Sequence, residues 1–196
     1  AALNSACYDG HGSTLKSSIS DTGYHFGIKN ADPTMGVGMA GISAASNEYM
    51  TAMCYWMKAN RPDGLVAFDA FNVHHYMSKP ITVQTPNGEQ TRYVGMSPEE
   101  ADLQGVLSQL VEIRNKYYPE KEVWLTEFGW DTNQSYATVN SSHAYGEYTG
   151  RQVQAMWLTR AYLLLSASGV DKATMYMCED ISVEAEAVGK FGSSGV

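Results

Sequence analysis

Apolar and polar positions follow two periods along this chain, and the change from one to the other marks its elements. Met35-Gly36-Val37-Gly38-Met39-Ala40-Gly41-Ile42 is a short apolar run between turn residues, the pattern of a buried strand whose glycines admit a close neighbour. From Ser46 or Asn47, both good N-caps, Tyr49, Met53, Trp56 and Met57 recur at helical spacing to about Asn60, and Arg61-Pro62-Asp63-Gly64 ends that helix. A second strand is expected over Phe71 to Tyr76, with its later half turning polar. A long polar loop containing Pro86-Asn87-Gly88 follows. Ser97-Pro98-Glu99-Glu100 then opens a helix reaching Tyr118, with Leu103, Val106, Leu107, Leu110, Val111 and Ile113 as its apolar side. Lys121 to Trp130 reads as a third strand, Thr149 to Ser168 as a third helix and Ala173 to Asp180 as a fourth strand. The first thirty residues, rich in Gly and Ser, read as a loop.

Strands alternating with helices, through connections long enough for right-handed crossovers, predict a parallel sheet. His74, His75, Tyr76, Glu127, Trp130, Glu179 and Asp180 all fall at the carboxyl ends of the expected strands. Such a rim is where a (β/α)8 barrel builds its site, so the fold class expected is α/β of the parallel (β/α)8 type. Only four of eight strands are visible, and the chain is shorter than the roughly 250 residues of a whole barrel. Residues 1–196 are therefore expected to form one partial barrel, strands five to eight, with its N-terminal half as partner. No GxGxxG or GxxxxGK loop follows any strand, which argues against nucleotide binding.

Composition narrows the classes further. Of 196 residues, 44% are hydrophobic and 17% charged, a globular profile able to bury a core. The net charge of −8 and the lack of any basic cluster remove the usual drive toward nucleic acid. The longest apolar run, Ala161 to Leu165, is far short of the ~20 residues of a membrane-spanning helix, so no membrane partner is expected. Cys7, Cys54 and Cys178 are an odd count without CxxC or Cys/His spacing, which favours buried thiols over disulfides or zinc. His74 and His75, as strand neighbours, point to opposite faces and do not ligate one ion together, so neither metal nor cofactor is expected.

Glu127 is the residue on which chemistry turns. An apolar strand delivers a carboxylate at its end, beside Gly129, which gives room, and Trp130, whose ring can stack on an apolar sugar face. The bland alternative is a salt-bridged structural acid, which is what most glutamates are. Val123-Trp124-Leu125-Thr126-Glu127-Phe128-Gly129-Trp130 resembles the seventh-strand motif of clan A glycoside hydrolases, and Asn72-Val73-His74-His75-Tyr76 resembles their sixth-strand motif. The resemblance covers about residues 35 to 180 and is to bacterial cellulase- and xylosidase-like enzymes. It implies hydrolysis of O-glycosidic bonds in a poly- or oligosaccharide by a retaining mechanism, with a secreted or periplasmic setting. Glu127 is then the nucleophile, Tyr76 the hydrogen-bond donor that keeps it ionised, and His74 or His75 a contact to substrate hydroxyls.

Retention also needs a protonated second carboxyl about 5 Å from the first. In the clan it is the Glu of an Asn-Glu pair three strands earlier. The pair present here, Asn47-Glu48, opens the helix after the first visible strand, where Asn caps and Glu complements the dipole, so the acid is expected upstream of Ala1. Weaker candidates for sugar contacts are Asp9, His11, Asp131 and Glu179, each with a turn-forming or polar-surface alternative, and Tyr136, Tyr145 and Tyr148 in an aromatic loop. The clan's frequent Trp platform on the last strand is replaced by Tyr176-Met177-Cys178-Glu179. Two other readings stay open: a non-catalytic carbohydrate-binding barrel protein, and a complete small α/β hydrolase using Glu48 as its acid.

Overall fold

The computed structural model describes residues 1–10, 26–132, 141–180 and 192–195. In chain order they form α1 (Ala2–Asp9), α2 (Ile28–Ala31), α3 (Asn47–Asn60), β1 (Ala70–His74), β2 (Ser78–Thr85), β3 (Gly88–Gly95), α4 (Leu103–Tyr117), β4 (Glu122–Glu127), α5 (Gly150–Ser168) and β5 (Lys172–Ala173). β1, β4 and β5 make a three-stranded parallel sheet in that order, while β2 and β3 pair separately as an antiparallel hairpin.

The expected partial (β/α)8 barrel is therefore corrected: the described chain is a small α/β domain with one short parallel sheet, a separate two-stranded sheet and five helices. A barrel pairs every strand edge. Here the run 35–42 meets β1 only through two isolated parallel bridges, Gly38 to Ala70 and Ile42 to Val73. On the other margin β5 pairs with β4 over two residues, Lys172 and Ala173. The chain then follows β4 through single bonds, Thr174 N–H to Leu125 O at 2.9 Å and Tyr176 N–H to Phe128 O at 2.8 Å. The segment read as a polar loop is the hairpin: Ile81, Val83, Tyr93 and Val94 are thinly spread among polar residues, and the turn between Thr85 and Gly88 closes it, with Gly88 at φ 98°.

The three long helices form where their periodicity places them. Ser46 accepts from Tyr49 N–H at the start of α3, and Thr149 and Gln152 make a reciprocal capping box at the start of α5. α4 begins later than its Ser-Pro-Glu-Glu signal, because Asp102 in the left-handed region (φ 50°) is the cap and accepts from Gly105 N–H. The inner sides of these helices, with Met50, Met57, Leu107, Leu110, Leu158 and Leu165, pack with Phe71, Val73, Val123 and Leu125 of the sheet in one core. Each such side chain contributes roughly 1.5–3 kcal/mol when fully buried. The alternate positions, Asn72, His74, Trp124 and Thr126, are half-buried, so the sheet has one covered face and one partly open face.

At the amino end of the sheet charges are locked in pairs. Arg61, its side chain 1% exposed, reaches Asp9 Oδ2 at 2.7 Å and Asp63 Oδ2 at 2.5 Å, and donates to Ser5 Oγ at 2.6 Å. These contacts fasten α1 to the end of α3. Lys29 pairs with Asp69 at 2.7 Å, and Tyr8 donates to Asp69 Oδ1 at 3.0 Å. Arg61→Ala leaves Asp9 and Asp63 without their guanidinium and is expected to lower unfolding stability by about 2–3 kcal/mol, read from urea melts. Arg61→Lys is expected to recover only part of that loss, because an ammonium does not reproduce the fork.

Candidate active site

Parallel pairing of β1 with β4 sets the site. The register runs Phe71 to Val123, Asn72 to Trp124 and Val73 to Leu125, then steps from Val73–Leu125 to His74–Glu127. One residue on β1 thus spans two on β4, the count of a bulge with Thr126 as the extra residue. Val123 and Leu125 face the helices, and strict alternation would send residue 127 the same way. The bulge re-aims Glu127 toward His74 and Tyr76 instead.

A ladder of side chains runs along the open face below it. Asn72 Nδ2 donates to Met39 O at 3.2 Å, Thr126 Oγ1 donates to Asn72 Oδ1 at 2.6 Å, and Thr174 Oγ1 donates to Thr126 O at 2.9 Å. At the carboxyl end Tyr76 OH donates to Glu127 Oε2 at 3.0 Å. His74 Nδ1 lies 3.3 Å from the same oxygen. Both partners meet Oε2, and Oε1 accepts no hydrogen bond from a described residue. The carboxylate side chain is 35% exposed and His74 23%. Burial, reinforced by the Glu127 charge, pushes the Tyr76 phenol well above its ordinary range, which keeps it a donor.

Two glycines make this geometry possible. A Cβ at Gly41 would collide with the His74 imidazole at Nε2, so the bare backbone lets the ring stand between the 38–42 run and Glu127. Gly129 lies at φ 149°, and a Cβ there would come within 2.6 Å of Tyr176 O. The turn at Gly129 carries the chain off the sheet immediately beyond Glu127.

The structure brings together three of the residues named from sequence, Glu127, Tyr76 and His74, and disperses the others. His75 donates its backbone N–H to Glu127 O at 2.9 Å, while burial pushes its imidazole below the usual range and holds it neutral. Trp130 is fully buried, donating Nε1–H to Met96 O at 2.8 Å and packed at a 59° tilt against Trp157 with centroids 5.4 Å apart, so it offers no ring face to a ligand. Asp131 is fully buried and accepts from Ser193 Oγ, which suits a structural role rather than a sugar contact. Asp9 sits at the opposite end of the sheet on Arg61. Glu179 is exposed on the segment after β5. His11 and Tyr136 lie outside the described residues.

Glu48 stands in the first turn of α3, where its Oε2 accepts from Ser46 Oγ at 3.3 Å, and Asn47 donates to Gln109 of α4 at 3.3 Å. Tyr176 entered the sequence reading only within the stretch that replaces the clan's Trp platform. It is partly exposed and near enough for its phenol to act on that of Tyr76. Its only sequence signal is its place in the segment expected as the last strand. Among the described residues no three His, Cys, Asp or Glu side chains are grouped to hold a metal ion. No protein-family model matches the chain, and neither a curated protein nor a solved structure matches it.

Two outcomes follow from this geometry. Gly41→Ala is expected to displace the His74 ring from Glu127 while changing stability by less than about 1 kcal/mol, because the ring can swing at χ1; the chemical shifts of the His74 imidazole in the variant check it. The phenol of Tyr76, like that of Tyr8 at about 12 and that of Tyr118, is held above its unfolded value of about 10. The folded chain then keeps more protons than the unfolded one above about pH 10, so stability is whole below that pH and falls as pH rises beyond it. Tyr76→Phe removes one of these contributors, and its melting temperature is expected to fall less steeply between about pH 10 and 12 than that of the unaltered chain.

Proposed function

We propose that this chain carries the nucleophile of a retaining glycoside hydrolase, acting on O-glycosidic bonds of a poly- or oligosaccharide. The observation that carries the reading is the divided carboxylate of Glu127, about a third exposed, with Oε2 held by Tyr76 and His74 and Oε1 accepting from no described residue. In open α/β sheets, ligands bind outside the carboxyl ends of the strands, which is where this group stands.

In the first step Oε1 attacks the anomeric carbon as the bond to the leaving oxygen breaks, giving a glycosyl ester on Glu127. Water then cleaves the ester with retention of configuration. Tyr76 donates to the carboxylate before attack and again as it departs. His74 adds positive potential when protonated and a neutral N–H donor in its Nδ1–H form. Protonation of the leaving oxygen calls for a second carboxyl, a role that the pairing of Asp9 with Arg61 does not favour for Asp9.

The contacts to Glu127 come from a phenol and an imidazole, which suits one rival reading as well, a carbohydrate-binding protein without turnover. Substrates whose leaving group needs no proton separate the two. With a panel of 2,4-dinitrophenyl 2-deoxy-2-fluoro-glycosides, the unaltered chain is expected to release dinitrophenolate in a burst and to gain one glycosyl mass on the peptide holding Glu127. Glu127→Gln is expected to give neither. Tyr76→Phe, losing a hydrogen bond to a charged group worth about 1.5–3 kcal/mol, is expected to slow the burst roughly 10- to 100-fold. No adduct with any member of the panel, or an adduct on another residue, overturns the proposal.

A further inference from the structure

A second cleft lies at the same end of the molecule, outside the Glu127 site. It has a volume of ≈ 500 Å³ and is framed by the base of β2, the segment before α4, the turn at 145–148 and the first half of α5. That volume is in the range of small-molecule sites. Its most prominent wall is a pair of tyrosines. Tyr145 and Tyr148 exchange backbone bonds in both directions, each at 3.0 Å, and Gly146 between them has φ 58°. A positive φ at the first central residue alone is the signature of a type II′ turn. Residues that exchange both bonds stand opposite each other with side chains on one side of the ribbon. The turn thus presents two rings together, Tyr145 80% exposed and Tyr148 43%. Met156 and Trp157 of α5 continue the apolar lining.

The rest of the rim is ionic and self-neutralised. Lys79 pairs with Glu100 at 2.5 Å, and Arg160 grips Glu99 through Nε and Nη2, both at 2.7 Å. Two cations and two carboxylates leave no net charge to draw an ionic ligand, yet they leave N–H donors and carboxylate acceptors in fixed positions beside exposed rings. A planar apolar surface edged by both kinds of polar group matches a pyranose, whose ring offers C–H faces and hydroxyl edges.

The wall between this cleft and Glu127 is solid. Trp157 packs on the fully buried Trp130, whose Nε1–H is bonded to Met96 O, and Met96 N–H is bonded to the carbonyl of Met77, next to Tyr76. A ligand in the cleft therefore does not touch the carboxylate, although both sites open at the carboxyl end of the sheet. We propose that this cleft is a second carbohydrate site, binding a neutral oligosaccharide independently of Glu127.

Calorimetric titration of the full chain with neutral linear hexasaccharides of β-1,4-glucose, β-1,4-xylose and β-1,3-glucose tests it. At least one is expected to bind Glu127→Gln as tightly as the unaltered chain, and Tyr145→Ala/Tyr148→Ala at least about tenfold more weakly. Tyr145→Ala alone, at a side chain standing mostly in solvent, is expected to weaken binding in the same direction with no change in melting temperature. Four results overturn the inference: no hexasaccharide binds; binding disappears in Glu127→Gln and persists in the double tyrosine variant; a hexagalacturonate binds more tightly than its neutral counterparts; or a proline-rich peptide is captured in place of any hexasaccharide. Because binding is read in the Glu127→Gln background, failure here is separable from failure of the nucleophile.

Discussion

The irregular step in the pairing of β1 with β4 is the constraint on which the site depends. Regular alternation puts Phe71, Val73, Val123 and Leu125 against the helices, and all four are fully buried. A carboxylate continuing that series would enter an apolar layer, where an unpaired charge is tolerated only by losing its proton equilibrium or unfolding its surroundings. The extra residue at Thr126 turns Glu127 to the other side, toward His74 and Tyr76 on β1 and the residues just after it. Gly41 and Gly129 then supply the space that the re-aimed group and its neighbours occupy. The helical core supplies the stability, and the bulge converts the end of one of its strands into an accessible acid.

The two ends of the sheet are used differently. At the amino end strong charges stand in close pairs: Arg61 with Asp9 and Asp63, Lys29 with Asp69, Arg114 with Asp171. Groups saturated in this way have no bonding capacity left for a ligand, and their work is to fasten α1, α2 and the crossovers to the strands. At the carboxyl end the described partners of Glu127 meet one oxygen, Oε2. That asymmetry, rather than the number of polar residues at either end, is what distinguishes the candidate site from the ionic cluster opposite.

The parts of this arrangement that depend on neighbours in the chain were legible in it. The helical spacing of α3 and α5, the Ser46 cap, and the apolar runs that became β1 and β4 follow from local rules, whereas the pairing of Glu127 with Tyr76, 51 positions apart, was implied only by the resemblance of two strand motifs. What escaped depends on long-range contacts. Asp9 looked like a turn residue near a site until Arg61, 52 positions away, claimed it. Trp130 looked like a stacking platform because the strand was read straight through it, whereas the turn at Gly129 sends its ring under Met96 and against Trp157. The β2–β3 hairpin carries too few apolar residues for alternation to stand out from a polar loop, and only its pairing reveals it. The barrel was an extrapolation from parallel strands to closure, and closure is a property of edges that no local pattern records.

A carboxylate gripped on one oxygen suits both halves of a double displacement. Were both oxygens saturated by donors, the anion would be stable but sluggish, since attack would have to break a hydrogen bond to free a lone pair. Were neither held, the group would rotate and its charge would be poorly supported. With Oε2 fixed by Tyr76, attack by Oε1 needs no bond to be broken at the start. The glycosyl ester carries little charge on its carbonyl oxygen, so the Tyr76 bond weakens as it forms and strengthens again as negative charge returns during hydrolysis. Donation that grows with developing charge favours the transition state of deglycosylation over the ester itself, which is the differential binding that catalysis requires. Because the phenol is held far from its own ionisation, the donor would keep its proton throughout the proposed cycle.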